Sequence, residues 1–149
     1  MKANFLFTLL VTSFIFISCG DDEDKKNEDR IIGTWVAVLE EFKECNNPAD
    51  NATNNLVCTE SNCIRLTFNG DGTYELVETE NLAGITEVGN WKLSGSTLTF
   101  TFSDEDEETT YSRSFTIASE ILILTYISDS TGCMIETTYN PEEEQEEEE

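Results

Sequence analysis

Between Cys63 and Tyr139 apolar and polar residues alternate almost without interruption, and most breaks in the alternation carry turn residues. A period of two is the mark of strands with one buried face; it argues against amphipathic helices, whose apolar positions recur every three to four residues. In residues 63–69, CIRLTFN, the side chains of Ile64, Leu66 and Phe68 share one side, with Arg65 and Thr67 opposite. After the turn residues Gly70, Asp71 and Gly72, TYELVE resumes with Tyr74 and Leu76 in phase, which is a hairpin signal with glycines supplying positive φ. In residues 90–102, NWKLSGSTLTFTF, Trp91 and Leu93 precede a turn at Ser94 to Ser96, and Leu98, Phe100 and Phe102 then face away from Thr97, Thr99 and Thr101. Two further hairpins turn near Ala118 and Ser119 and near Ser130 to Gly132.

The pattern predicts eight strands, at about 33–43, 63–69, 73–80, 85–93, 96–103, 109–117, 120–128 and 132–139. Short strands at such regular spacing form a sandwich or a barrel, so the fold class is all-β. The polar stretch 46–62 has room for a single turn of helix. Three joins are tight, at Gly70 to Gly72, Ser94 to Gly95 and Ala118 to Ser119; the alternate joins read as generally longer and more polar. In an up-and-down barrel the longer joins share one end, a mouth opposite a closed base.

The ends of the chain differ from this middle. Residues 1–18 carry one basic residue, Lys2, and an apolar run from Phe5 to Ile17, which is the profile of a signal peptide. The run is shorter than the ~20 residues of a spanning helix and stops at Cys19. Behind Cys19, residues 20–29 contain no apolar side chain and read as a solvated tether. The tail 141–149 holds seven glutamates. Both acidic ends read as disordered, which leaves residues 30–140 as one small domain. The formal net charge is −23, a balance that repels nucleic acid and anionic lipid headgroups.

FISC, Phe16 to Cys19, resembles the lipobox of bacterial lipoproteins. The resemblance implies that the signal peptide is cleaved and that Cys19 becomes the acylated first residue of the mature chain, tied to a membrane by its acyl chains. Two or more chains hold firmly, since each buried methylene contributes about 0.8 kcal/mol. The cluster Asp21, Asp22, Glu23 and Asp24 is similar to the export signal that sends Bacteroidetes-type lipoproteins to the outer face of the outer membrane; a spacer in a periplasm-facing lipoprotein is the alternative. Ser130 in Asp129-Ser130-Thr131 resembles a short O-glycosylation motif of the same class of exported proteins.

Residues 31–41, IIGTWVAVLEE, then 66–76, LTFNGDGTYEL, then 89–102, GNWKLSGSTLTFTF, are similar to the small lipocalin-like domains of Bacteroidetes-type lipoproteins. The resemblance implies an eight-stranded up-and-down antiparallel barrel with Trp35 packed near its closed base. Trp35, Tyr74, Trp91, Phe100, Phe102, Phe115 and Tyr126 are the candidates for the barrel interior, as core or as the lining of a site for a small hydrophobic ligand. The other function class is a cell-surface interaction module that meets a protein or glycan through the loops of the mouth.

Apart from Cys19, the four cysteines are Cys45, Cys58, Cys63 and Cys133, an even number suited to two disulfides in an exported domain. If the last strand closes on the first, Cys45 and Cys133 meet at the mouth. That favours Cys45 with Cys133 and Cys58 with Cys63, although Cys63 also lies near Cys45 and the other connectivities stay open. The chain has no histidine, and the cysteines lack the paired CxxC spacing of zinc folds, so no metal, cofactor or catalysis is expected. NGDGTYE, residues 69–75, superficially resembles a calcium loop, but a Gly-Asp-Gly hairpin accounts for it.

Overall fold

The computed structural model describes residues 21–104 and 107–142. The signal segment 1–18, Cys19 and residues 143–149 of the tail lie outside the described residues, as do the side chains of Asp21, Asp22, Glu23 and Asp24. The elements are α1 (Asp21–Ile31), β1 (Gly33–Lys43), a single 3-10 turn (Pro48–Asp50), β2 (Ala52–Asn55), β3 (Asn62–Phe68), β4 (Thr73–Glu80), β5 (Ala83–Ser94), β6 (Thr97–Asp104), β7 (Glu107–Ala118), β8 (Ile121–Ile127) and β9 (Met134–Pro141).

All strands belong to one antiparallel sheet, ordered β2-β1-β3 and then consecutively to β9, and β1 pairs with β9 as well. Eight strands, β1 and β3 to β9, therefore close into a barrel, and β2 is an addition to it. Closure leaves these strands without a long free edge. The pairing of β1 with β9 runs from Trp35 opposite Pro141 to Lys43 opposite Met134. On its other side β1 meets β3 only from Gly33 to Val36, and then β2 from Leu39 to Phe42. The partner changes at Val38, where the register against β9 also shifts and the Val38 carbonyl accepts the Leu56 amide at 2.9 Å. The irregularity swaps the faces of β1: Trp35 and Ala37 point into the barrel, and beyond the shift Glu40 and Phe42 do.

Several details depart from the sequence expectation. Residues 52–55, ATNN, are polar and exposed, yet they pair, because the upper half of β1 has no other neighbour on that side. The joins at the mouth are not generally long: β4 to β5 turns on Asn81 and Leu82, both in the left-handed region, and two residues separate β6 from β7. Only the first loop, 44–61, and the join 128–133 are longer. Residues 21–31 form α1 where a solvated tether is expected. Acidic residues open this helix and Arg30 lies in its last turn, the order that its dipole favours. Of its described side chains only Ile31 is buried.

The base of the barrel is solidly filled. Trp35, Phe68, Leu93, Leu98, Phe115 and Leu122 are buried there, and Ile31 at the end of α1 completes the core with no exposed surface. The Trp35 indole donates to the Ile31 carbonyl at 2.7 Å, and Arg30 donates to the Ile117 carbonyl at 3.1 Å. Gly89 lets Tyr74 lie flat across β5; a Cβ there would collide with the Thr101 carbonyl oxygen and stand 2.9 Å from Tyr74 Cε1.

Cys45 is bonded to Cys133 and Cys58 to Cys63, the pairing that closure favours. The first bond ties the end of β1 to the start of β9 across 88 residues, the second braces a segment of five. By loop-closure entropy, the double variant Cys45→Ser/Cys133→Ser should lose about 4.6 kcal/mol and Cys58→Ser/Cys63→Ser about 2 kcal/mol. Urea unfolding of the two variants side by side measures both losses.

Candidate functional site

Above the filled base the inward positions change character. On β4 the sequence Tyr74, Leu76, Glu78 leads from core to carboxylate, and on β7 Phe115, Arg113 and Tyr111 lead from core to guanidinium and phenol. Leu76 and Glu78, Tyr111 and Arg113, with Glu40 from β1 and Tyr126, Thr137 and Tyr139 from β8 and β9, line a cavity of about 130 Å³ in the mouth half. Ile64, Leu66, Leu76, Phe100 and Leu124 form its apolar wall. That volume is close to the ~150 Å³ of cavities that admit benzene, so the space suits a small molecule and not a lipid chain.

The polar groups of the wall fall into two sets. Tyr74 and Tyr111 both donate their hydroxyls to Glu87 Oε1, at 2.6 and 2.7 Å, and the Arg113 guanidinium lies 3.8 Å from the Tyr126 ring centre and 4.6 Å from that of Tyr111. These groups hold one another. The second set has no partner: among the described residues, the carboxylates of Glu40 and Glu78 and the hydroxyls of Thr137 and Tyr139 make no hydrogen bond or ion pair. Thr137 and Tyr139 are each only 7% exposed.

The local field reflects this arrangement. Partial burial raises the Glu78 carboxyl above its ordinary range, and the negative charges of Glu87 and Glu40 add to the shift. Burial, reinforced by the Glu87 carboxylate, pushes the Tyr74 and Tyr111 phenols well above the usual phenol range, and burial does the same to Tyr139. The three phenols therefore stay protonated at neutral pH; Tyr74 and Tyr111 donate that proton's hydrogen bond to Glu87, and Tyr139 keeps its own as a donor.

The family of lipocalin-like domains matches residues 31–124. The chain belongs to that family. It is also similar in structure to a lipocalin-like protein from Bacteroides uniformis, with a TM-score of 0.55 at 13% identity, over 76% of this chain and 99% of the other. At that identity the likeness concerns the fold alone. No curated protein matches the chain.

This lipocalin-like domain divides the seven candidate interior residues into three groups. Phe100 and Tyr126 line the cavity. Trp35 and Phe115 fill the base, and Tyr74 packs edge-on against Phe100 at 4.9 Å. Trp91 lies half-buried against Phe68 and donates to the Asn69 carbonyl, and Phe102 packs at the edge of Tyr111; neither lines the cavity. In the Asn69 to Glu75 turn, Asp71 accepts the amide and hydroxyl of Thr73, so its carboxylate is used within the hairpin. Ser130, in the join before β9, is exposed and its hydroxyl lies 3.0 Å from that of Ser128.

The charged wall is what the sequence reading misses. Glu78 and Arg113 carry a signal all the same, since each occupies the apolar phase of its strand. Glu40 carries none, because only the irregularity at Val38 turns it inward.

Glu78 gives this wall a measurable stability signature. A carboxyl whose pKa is raised by folding binds its proton more tightly in the folded chain, so stability falls as pH rises from the unfolded value through the raised one. Glu78→Gln is expected to melt higher than the parent at pH 7, by on the order of 2 °C given the partial exposure of the site. At about pH 3, where Glu78 is protonated in both states, the two should melt together. Calorimetry across that range checks the sign.

Proposed function

We propose that this protein is a surface-exposed lipoprotein of the outer membrane, held by acyl chains on Cys19, that binds a small ligand in the mouth half of its barrel without catalysing a reaction on it. The observation that carries the ligand reading is the cavity itself, open space of about 130 Å³ inside the barrel above a base of buried apolar side chains. Five apolar side chains on one wall, from Ile64 to Leu124, suit the hydrophobic part of such a ligand, and the unpaired carboxylates and hydroxyls suit a polar head. The family supports the reading at the level of fold.

Native mass spectrometry of the protein purified from its source under non-denaturing conditions tests the carrier function. The expected result is a reproducible extra mass that is lost on denaturation, and lost again in Thr137→Trp, whose indole fills the cavity. The mass of the acylated chain alone in the parent protein, unchanged by denaturation, overturns it. That outcome would favour the second reading, an interaction module. Leu82, Ile85 and Ile127 support this alternative, because they stand at the mouth end with 78, 72 and 71% of their surface exposed.

The anchor has its own test. Cys19→Ser should move the protein from the membrane fraction to the soluble fraction, and protease added to intact cells should degrade the parent protein. Protection of the parent from that protease would place it on the periplasmic side.

A further inference from the structure

The unpaired groups of the cavity specify more than a polar head. We propose that the ligand is a small organic cation of the alkylammonium class, with its charged head at Glu40 and Glu78 and its alkyl part against Leu66, Leu76 and Leu124. The inference rests on the ligand-binding reading above and names the chemistry of that ligand.

Charge is the first ground. Glu40, Glu78 and Glu87 stand at the cavity or beside it against the single guanidinium of Arg113, which leaves two negative charges in excess. Arg113 does not neutralise them: no carboxylate of the described residues lies within 4.0 Å of it, and it is held between two tyrosine rings. Burial first, and then the charges of Glu87 and Glu40, drive Glu78 toward the protonated form. A cation brought between them relieves the repulsion among these carboxylates.

Hydrogen bonding is the second and independent ground. Tyr139 and Thr137 are more than nine-tenths buried and line the cavity, and their hydroxyls, the part of each side chain that still reaches open space, find no partner among the described residues. An apolar molecule in this space would strip water from two carboxylates and two hydroxyls and replace none of their hydrogen bonds. An alkylammonium head brings three N–H donors, which match two carboxylates and one hydroxyl oxygen, while its chain covers the leucine wall.

The competing ligand classes fit less well. A bare metal ion needs ligands converging on one point, and no three metal-binding side chains do so among the described residues. An anion would meet the Arg113 charge, but also three carboxylates. The field of the whole protein, with a net charge of −23, likewise concentrates cations near the surface and repels anions.

Three probes of similar size separate these cases: n-butylammonium chloride, 1-butanol and sodium butyrate. Each is titrated into the full acylated protein in neutral detergent, with the methyl resonances of Ile64, Leu66, Leu76 and Leu124 as the readout. Butylammonium should bind at least tenfold more tightly than the other two, and Glu40→Gln and Glu78→Gln should each weaken it about tenfold without changing the response to butanol. Because Glu78→Gln should melt higher than the parent, a loss of binding in that variant is not a loss of folding. Equal or tighter binding of butanol or butyrate overturns the cation and leaves a binding cavity of another class. No methyl shift with any probe at about 100 mM overturns the cation and the binding reading together.

Discussion

The pairing of β1 with β9 is the constraint on which the molecule depends. Apart from β1 with β3, which passes over the added β2, every other strand contact joins neighbours in sequence, as a meander forms by local turns; this one brings the two ends of the domain together. Without it the sheet would have two long free edges and its apolar face would have nothing to pack against. The Cys45–Cys133 bond sits at the mouth end of this seam, beside Phe42, Ile135 and Tyr126. At the other end, Ile31 enters the core and the Glu142 amide reaches the Thr34 carbonyl at 2.8 Å. The seam is therefore secured at both ends by groups outside its own ladder.

Closure also dictates where space remains. Eight strands give an interior only as wide as the side chains that fill it. In the base the inward residues are large and apolar, and a tight aromatic chain runs from Trp91 through Phe68 and Phe100 to Tyr111. Toward the mouth the same strand positions carry Glu78, Arg113 and Thr137, polar groups that cannot close over one another as leucines do. The cavity is the direct consequence, and the Tyr74–Glu87–Tyr111 bonds keep part of its wall rigid.

Much of this architecture is legible in the sequence because the period of two is a local property. Leu98, Phe100 and Phe102 announce a strand wherever the chain goes, and Gly95, with a φ of 59°, announces the turn before it. The position of Trp35 in the base follows from the family resemblance, and the cysteine pairing from closure. What is not legible depends on neighbours. ATNN has no strand character of its own and pairs because the edge of β1 is open there. The two-residue turn at Asn81 and Leu82 lacks a glycine to mark it. The reading of an apolar, aromatic interior follows the hydrophobic residues of each strand and passes over the charged ones in the same phase.

The irregularity in β1 links the seam to the site. Continuous alternation from Trp35 and Ala37 would turn Leu39 and Glu41 inward and send Glu40 and Phe42 to the surface. The extra residue at Val38 reverses this, and it lies where β1 leaves β3 and takes β2 as its neighbour. Two results follow from one local change. Glu41 and Lys43 stay on the outer surface, where Lys43 bridges Glu41 and Glu136 at 2.8 and 3.1 Å, and Glu40 joins Glu78 inside. The first loop, which supplies β2, is thus part of the site's construction although no residue of β2 touches the cavity. Regular alternation at Val38 would keep every strand of the barrel but put Leu39 in place of Glu40 beside the cavity and move the inward carboxylate to Glu41, so which carboxylate faces the cavity is set by strand geometry as much as by composition.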